Sequence, residues 1–120
     1  MAPERRRHDR YRFWIPIELR IDGTLRPAVG HDMSRRGALL VCRSEIAVDT
    51  AVALRFELPP GTGRMREIDG VVRRSGPNEA DPTGLWPVEV GVEFSASHPS
   101  LDADLKQLMS TLGAGTAGTE

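Results

Sequence analysis

Apolar and polar residues alternate with period two along most of the chain, and the alternation is cleanest near its start. Tyr11, Phe13, Ile15, Ile17, Leu19 and Ile21 are interleaved with Arg12, Trp14, Pro16, Glu18 and Arg20, which predicts a strand with one face in a core. After a turn at Asp22–Thr24, a second strand is expected in which Val29, His31 and Met33 face the core and Ala28, Gly30, Asp32 and Ser34 face outward. A third strand is expected over Ala38–Cys42, a fourth over Ala51–Leu58 with Val52, Leu54, Phe56 and Leu58 inward, and a fifth over residues 66–74. The sixth has Val88, Val90, Val92 and Phe94 on one face. The period then changes: Leu101, Leu105, Leu108 and Leu112 recur at helical spacing, with Ser97 or Ser100 as the expected cap and Asp102 and Asp104 in the first turn, where the helix dipole favours acids.

Six short strands and one amphipathic helix imply an all-β (mainly β) fold, a six-stranded antiparallel β-barrel with a C-terminal α-helix over its mouth or flank. The expected division is one domain over 1–112, comprising an N-terminal arm of about residues 1–12, the barrel, and a helix of about residues 98–112, followed by a tail at 113–120 with nothing apolar to bury. A hydrophobic fraction of 39% supports a packed core. No apolar run reaches membrane-span length and no signal-peptide core follows the basic start, so a cytoplasmic protein without membrane insertion is expected. Cys42 is the only cysteine, with no partner for a disulfide or a thiolate metal site, and reads as a small buried hydrophobe.

Charge changes the picture at one place. The net charge is only −1, yet residues 4–12 hold Arg5, Arg6, Arg7, Arg10 and Arg12. Any attraction for anions is therefore local. The stretch Gly30–Gly37 contains His31, Asp32 and Ser34 and invites comparison with a hydrolase triad. Alternation places His31 on the opposite face from Asp32 and Ser34, so no base can bridge nucleophile and acid, and no catalytic residues are expected. The three histidines are scattered, giving no metal site. Residues 59–64 are glycine-rich but lack the Gly-Lys-Ser/Thr ending of a phosphate loop and join two strands. What remains is a small polar platform bearing Asp32 and Ser34, with Gly37 where a special backbone shape or a close approach is needed. Arg6 and Arg10 can fold back over it. A carboxylate for the guanine N1/N2 edge, a hydroxyl for phosphate or ribose, and arginines for phosphate and the O6/N7 edge together suit a guanine nucleotide with more than one phosphate.

Arg6 and Arg10, spelling RxxxR, and Asp32, Ser34 and Gly37, spelling [DN]xSxxG about two dozen residues on, with Val90–Phe94 near the end, resemble the paired signature of the PilZ domain. The resemblance covers residues 4–112 and implies binding of cyclic di-GMP without catalysis and without a cofactor. It assigns phosphate and guanine contacts to Arg6 and Arg10, pocket completion to Asp32 and Ser34, and a backbone requirement to Gly37. Arginine just before RxxxR, here Arg5, goes in this family with two intercalated ligand molecules. Ligand is expected to relieve repulsion among the arginines and pin the arm to the barrel, altering a surface read by a separate downstream protein. The rival reading is a nucleotide-independent adaptor that docks a protein through the Trp14 or Trp86 region. Nucleic-acid binding by the arm is disfavoured by the acidic remainder and the lack of interleaved aromatics.

Overall fold

The computed structural model describes residues 11–58 and 61–111, apart from the side chains at 12, 13 and 111. Six strands, β1 (Tyr11–Ile21), β2 (Thr24–Met33), β3 (Gly37–Cys42), β4 (Ala51–Glu57), β5 (Met65–Pro77) and β6 (Val88–Phe94), precede one helix, α1 (Pro99–Thr111). All pairings are antiparallel, and the strands close a barrel in the order β1-β2-β3-β6-β5-β4. The expected six-stranded barrel with its C-terminal helix is the fold observed.

Local chemistry sets the connections. Asp22 (φ 50°) and Gly23 (φ 79°) form a two-residue turn between the paired Ile21 and Thr24, left-handed at both positions as the twist of a tight hairpin requires. In the β4–β5 connection the Glu57 carboxylate accepts from the backbone N–H of Gly61 and Gly63. Asn78 closes the β5–β6 connection, its amide donating to the Trp86 carbonyl at 2.7 Å and its backbone N–H to that of Pro87 at 2.8 Å.

Leu19, Leu40, Leu54, Phe56, Val72 and Val90 fill the barrel. Cys42 is buried among them, and burial pushes its thiol pKa up, against the opposing effects of a hydrogen bond to the Ser44 carbonyl and the charge of Arg26. Closure between β1 and β4 rests on three residue pairs, Glu18–Arg55 to Arg20–Ala53, and beyond them the strands part. Helix α1 contributes Leu101, Leu105, Leu108 and Met109 to the same core. Tyr11 donates its hydroxyl proton to Asp102 at 3.2 Å, and Arg66 pairs with Asp104.

Two local expectations change. The helix begins at Pro99, where a missing N–H costs nothing and φ is preset, so neither Ser97 nor Ser100 is its cap; His98 precedes the first turn and its carbonyl accepts the Leu101 N–H at 2.9 Å. Of the two acids, Asp102 lies in the first turn, and both tie the helix to β1 and β5. The second change is in β2, where Ala28 and Gly30 face the core while Val29 and His31 lie outside, the reverse of the parity expected. A Cβ on Gly30 would meet the Ile17 side chain at 2.6 Å. One extra β2 residue between Gly30 and Asp32 restores Met33 to the interior.

Candidate functional site

The β2 bulge decides what the second motif presents. Gly30 pairs with Leu40 and Asp32 with Leu39, so His31 is the inserted residue, and His31 and Asp32 lie half-buried on the outer surface between the inward Gly30 and Met33. His31 and Asp32 are therefore not on opposite faces, contrary to the strict alternation expected. His31 is instead occupied by its surroundings: the Trp14 ring lies 5.2 Å away, tilted by 31°, and Glu89 Oε2 is 3.7 Å from His31 Nε2. β1 carries its own extra residue between Arg12 and Ile15, opposite the β2 bulge. The two irregularities bring the start of β1 against the motif, with Arg12 paired directly to Asp32 and Tyr11 to Met33.

Ser34 to Gly37 form the β2–β3 turn. The Ser34 N–H donates to the Gly37 carbonyl at 2.9 Å, and the Ser34 hydroxyl accepts the Arg36 N–H at 3.2 Å, the local bond by which serine stabilises a turn. Ser34 is 2% exposed, so it stands inside the turn and not on an open platform. The turn is also held from outside: the Arg36 carbonyl accepts from Phe94 N–H and the Arg35 carbonyl from His98 N–H, both at 2.8 Å. Asp32 thus projects from a strand whose end is fastened to β6 and to the segment leading into α1. Arg5, Arg6 and Arg10 lie outside the described residues.

Gly37 is required by space and not by backbone shape. It is not among the residues with positive φ, but a Cβ there would lie 2.6 Å from the Val92 carbonyl oxygen of the neighbouring strand. Gly37→Ala is accordingly expected to lower stability by about 1–3 kcal/mol through forced displacement of β6. Chemical denaturation checks this, and an unchanged midpoint would mean that β6 gives way freely.

Sequence reasoning passed over a second arginine pair. β5 has an extra residue between Val72 and Arg74, and this bulge places Arg73 and Arg74 together on the surface. Arg73 donates to Glu93 at 2.8 Å and to Asp49 at 3.1 Å; the Glu93 hydrogen bond, reinforced by both carboxylates, pushes its pKa up. Arg74 has no ion-pair partner among the described residues and its stem lies over Gly91. No local sequence signal marks a one-residue bulge.

A cleft of about 540 Å³ lies beside the motif, lined by Trp14, His31, Val41, Asn78, Trp86 and Glu89. A groove of about 580 Å³ along Pro16, Leu25, Pro27 and Met65 holds none of the motif residues. Among the described residues no group of three histidine, cysteine, aspartate or glutamate side chains could hold a metal ion, and no helix is long and apolar enough to cross a membrane.

A search of curated protein sequences returned no match. Among solved structures, the PilZ domain of YcgR from Escherichia coli with c-di-GMP superposes with a TM-score of 0.68 at 12% identity, over 93% of this chain and 94% of that one. The Bacillus subtilis inhibitor of motility MotI/DgrA gives 0.67 at 15% identity over 89% of this chain, and the K. pneumonia MrkH–c-di-GMP complex gives 0.64 at 16% over 96%. The present chain spans 51% of the former and 55% of the latter, about half of each. These likenesses establish the barrel fold. The family model of the PilZ domain matches residues 4–110, nearly the whole chain and both motifs within it, and the chain therefore belongs to the PilZ domain family.

Proposed function

We propose that the protein is a receptor for cyclic di-GMP, bound by Arg5, Arg6 and Arg10 from the N-terminal segment together with Asp32, Ser34 and Gly37. The observation that carries this reading is the direct pairing of Arg12 with Asp32, which delivers the chain just after the RxxxR arginines to the outward carboxylate of the second motif. Asp32 accepts from the guanine N1/N2 edge, while Ser34 and Gly37 hold the turn that fixes Asp32. The arginines take phosphate oxygens and the O6/N7 edge by charge-assisted, bidentate bonds. Solved relatives with c-di-GMP, YcgR and MrkH, support the choice of ligand. Arg5 supports two intercalated molecules per site, since four phosphates call for an additional guanidinium. The role is binding and signal relay, not catalysis: anionic ligand removes the repulsion within the arginine cluster, pins residues 4–10 to the barrel and so alters the surface met by a partner protein.

Isothermal titration of cyclic di-GMP into the full chain at physiological salt, with GTP as the control, tests the reading. Saturable binding at micromolar affinity or tighter, with a stoichiometry near two and no heat from GTP, is expected. Hydrogen exchange over residues 4–10 should slow with ligand; exchange identical in both states removes the switching part. Absence of saturable binding overturns the receptor reading in favour of an adaptor that docks a protein at the cleft, a role for which the 69% exposure of Trp14 speaks.

A further inference from the structure

Both tryptophans of the chain line one cleft, the space of about 540 Å³ beside the β2 bulge. Trp14 stands 69% exposed on β1, braced by the His31 ring at 5.2 Å, and His31 is held in turn by Glu89 Oε2 at 3.7 Å. Trp86 comes from the β5–β6 connection, whose backbone is tied down. Its N–H donates to Asp81 Oδ2 at 3.4 Å, its carbonyl accepts from the Asn78 amide at 2.7 Å, and the Asp81 N–H donates to the Asn78 carbonyl at 2.9 Å. The walls are therefore preorganised, which lowers the ordering cost of filling the cleft. Charge on these walls has one sign. Glu79, Asp81 and Glu89 line the cleft and no arginine or lysine does, in a chain with 16 of them. Glu79 is exposed and has no ion-pair partner among the described residues.

We propose that this cleft docks an arginine-bearing segment of a partner protein, with a guanidinium stacked on the exposed Trp14 ring and paired with the carboxylates around it. This goes beyond the receptor reading and stands without it. Tryptophan is the best aromatic platform for a cation, and a planar guanidinium stacks on it face to face. The apolar stem of the arginine covers the ring while its head meets a carboxylate. A negative wall repels phosphate, so cyclic di-GMP, nucleic acid and lipid headgroups do not suit it. At about 540 Å³ the cleft has the size of a site for a group of many atoms and not for a lone ion. The chain's own arginines are the less suited occupant because of direction. β1 starts at Tyr11, in register with Met33, Ala38 and Val92, whereas the β5–β6 connection adjoins Val88, in register with Cys42 and Ala28. The segment before Tyr11 starts from the far end of the strands and would have to double back to reach the cleft.

The test is titration of a hexa-arginine peptide into the full chain, followed by tryptophan emission, which reads this cleft because Trp14 and Trp86 are the only tryptophans. Hexaglutamate is the control peptide, and thermal unfolding of each variant confirms that it folds. Wild type should bind hexa-arginine saturably, at high micromolar affinity or tighter, and hexaglutamate not at all. Glu79→Gln/Glu89→Gln should bind about fivefold or more weakly and Trp14→Ala about threefold or more weakly. Glu67→Gln/Asp69→Asn, which removes two exposed charges of β5 outside the cleft, should stay within about twofold of wild type. No saturable change in emission, or equal losses in the two charge variants, overturns the inference. Binding by Arg5→Ala/Arg6→Ala/Arg7→Ala about fivefold or more tighter than by wild type would assign the cleft to the chain's own arginines and overturn the partner assignment. Neither result touches the receptor reading, because the cleft holds none of Asp32, Ser34 and Gly37.

Discussion

The Arg6→Ala/Arg10→Ala variant is expected to lose cyclic di-GMP binding by two to four orders of magnitude. Each charge-assisted contact contributes on the order of 1.5–3 kcal/mol, and two removed together amount to about 3–6 kcal/mol if they act independently. Independence is itself open to measurement. Both side chains belong to one seven-residue stretch, and losing the first contact loosens the segment that offers the second, so the double variant should fall short of the sum of the single ones. Titration of wild type, both single variants and the double variant measures this. Loss smaller than about tenfold in the double variant would show that affinity resides elsewhere. Higher salt should weaken wild type more than the double variant, because screening acts on the charges that the variant lacks.

Leu105→Ala is expected to cost about 2–5 kcal/mol of stability, the largest effect of any single substitution considered. Leu105 is fully buried on the face of α1 that completes the core where β1 and β4 have parted after three residue pairs. A barrel joined along its full length could partly collapse around a truncated side chain. Here the helix supplies the missing wall, so the cavity persists. With a total stability of order 5–15 kcal/mol for a domain of this size, such a loss is a large share of the whole. Urea denaturation should show a lower midpoint with an unchanged slope. A reduced slope would instead indicate that the helix detaches while the strands remain, and a loss under about 1 kcal/mol would show that α1 is only an accessory to the barrel.

Most of the architecture was legible in the alternation of residues, and the failures share a physical cause. In β1 the pattern of Ile15, Ile17, Leu19 and Ile21 gives the buried face directly, because that stretch pairs regularly with β2. In β2 the same logic inverted the faces of Val29 and His31. A bulge inserts one residue without changing composition, and Ala28 and Gly30 are too small to announce themselves as core. The bulges of β1 and β5 are equally silent, and with the latter Arg74 escaped notice. Gly37 was identified as special, but conformation and close approach cannot be told apart until the strand beside it is known, and β6 comes more than fifty residues later. The helix period was plain from its leucines, whereas its start depended on Pro99, whose fit at a first helical position outweighs the serines around it. The arginine half of the candidate site was readable only as a motif.

The turn from Ser34 to Gly37 is written early in the chain and completed late. Its carbonyls await Phe94 and His98, its glycine is shaped by the Val92 carbonyl, and Tyr11 awaits Asp102. During synthesis from the N-terminus, β1 and β2 leave the ribosome with both motifs present in sequence but without the partners that fix their geometry. The site is therefore assembled last, when β6 and α1 emerge, and a chain interrupted before that point carries the full signature of a receptor with none of the clamps that would make it one.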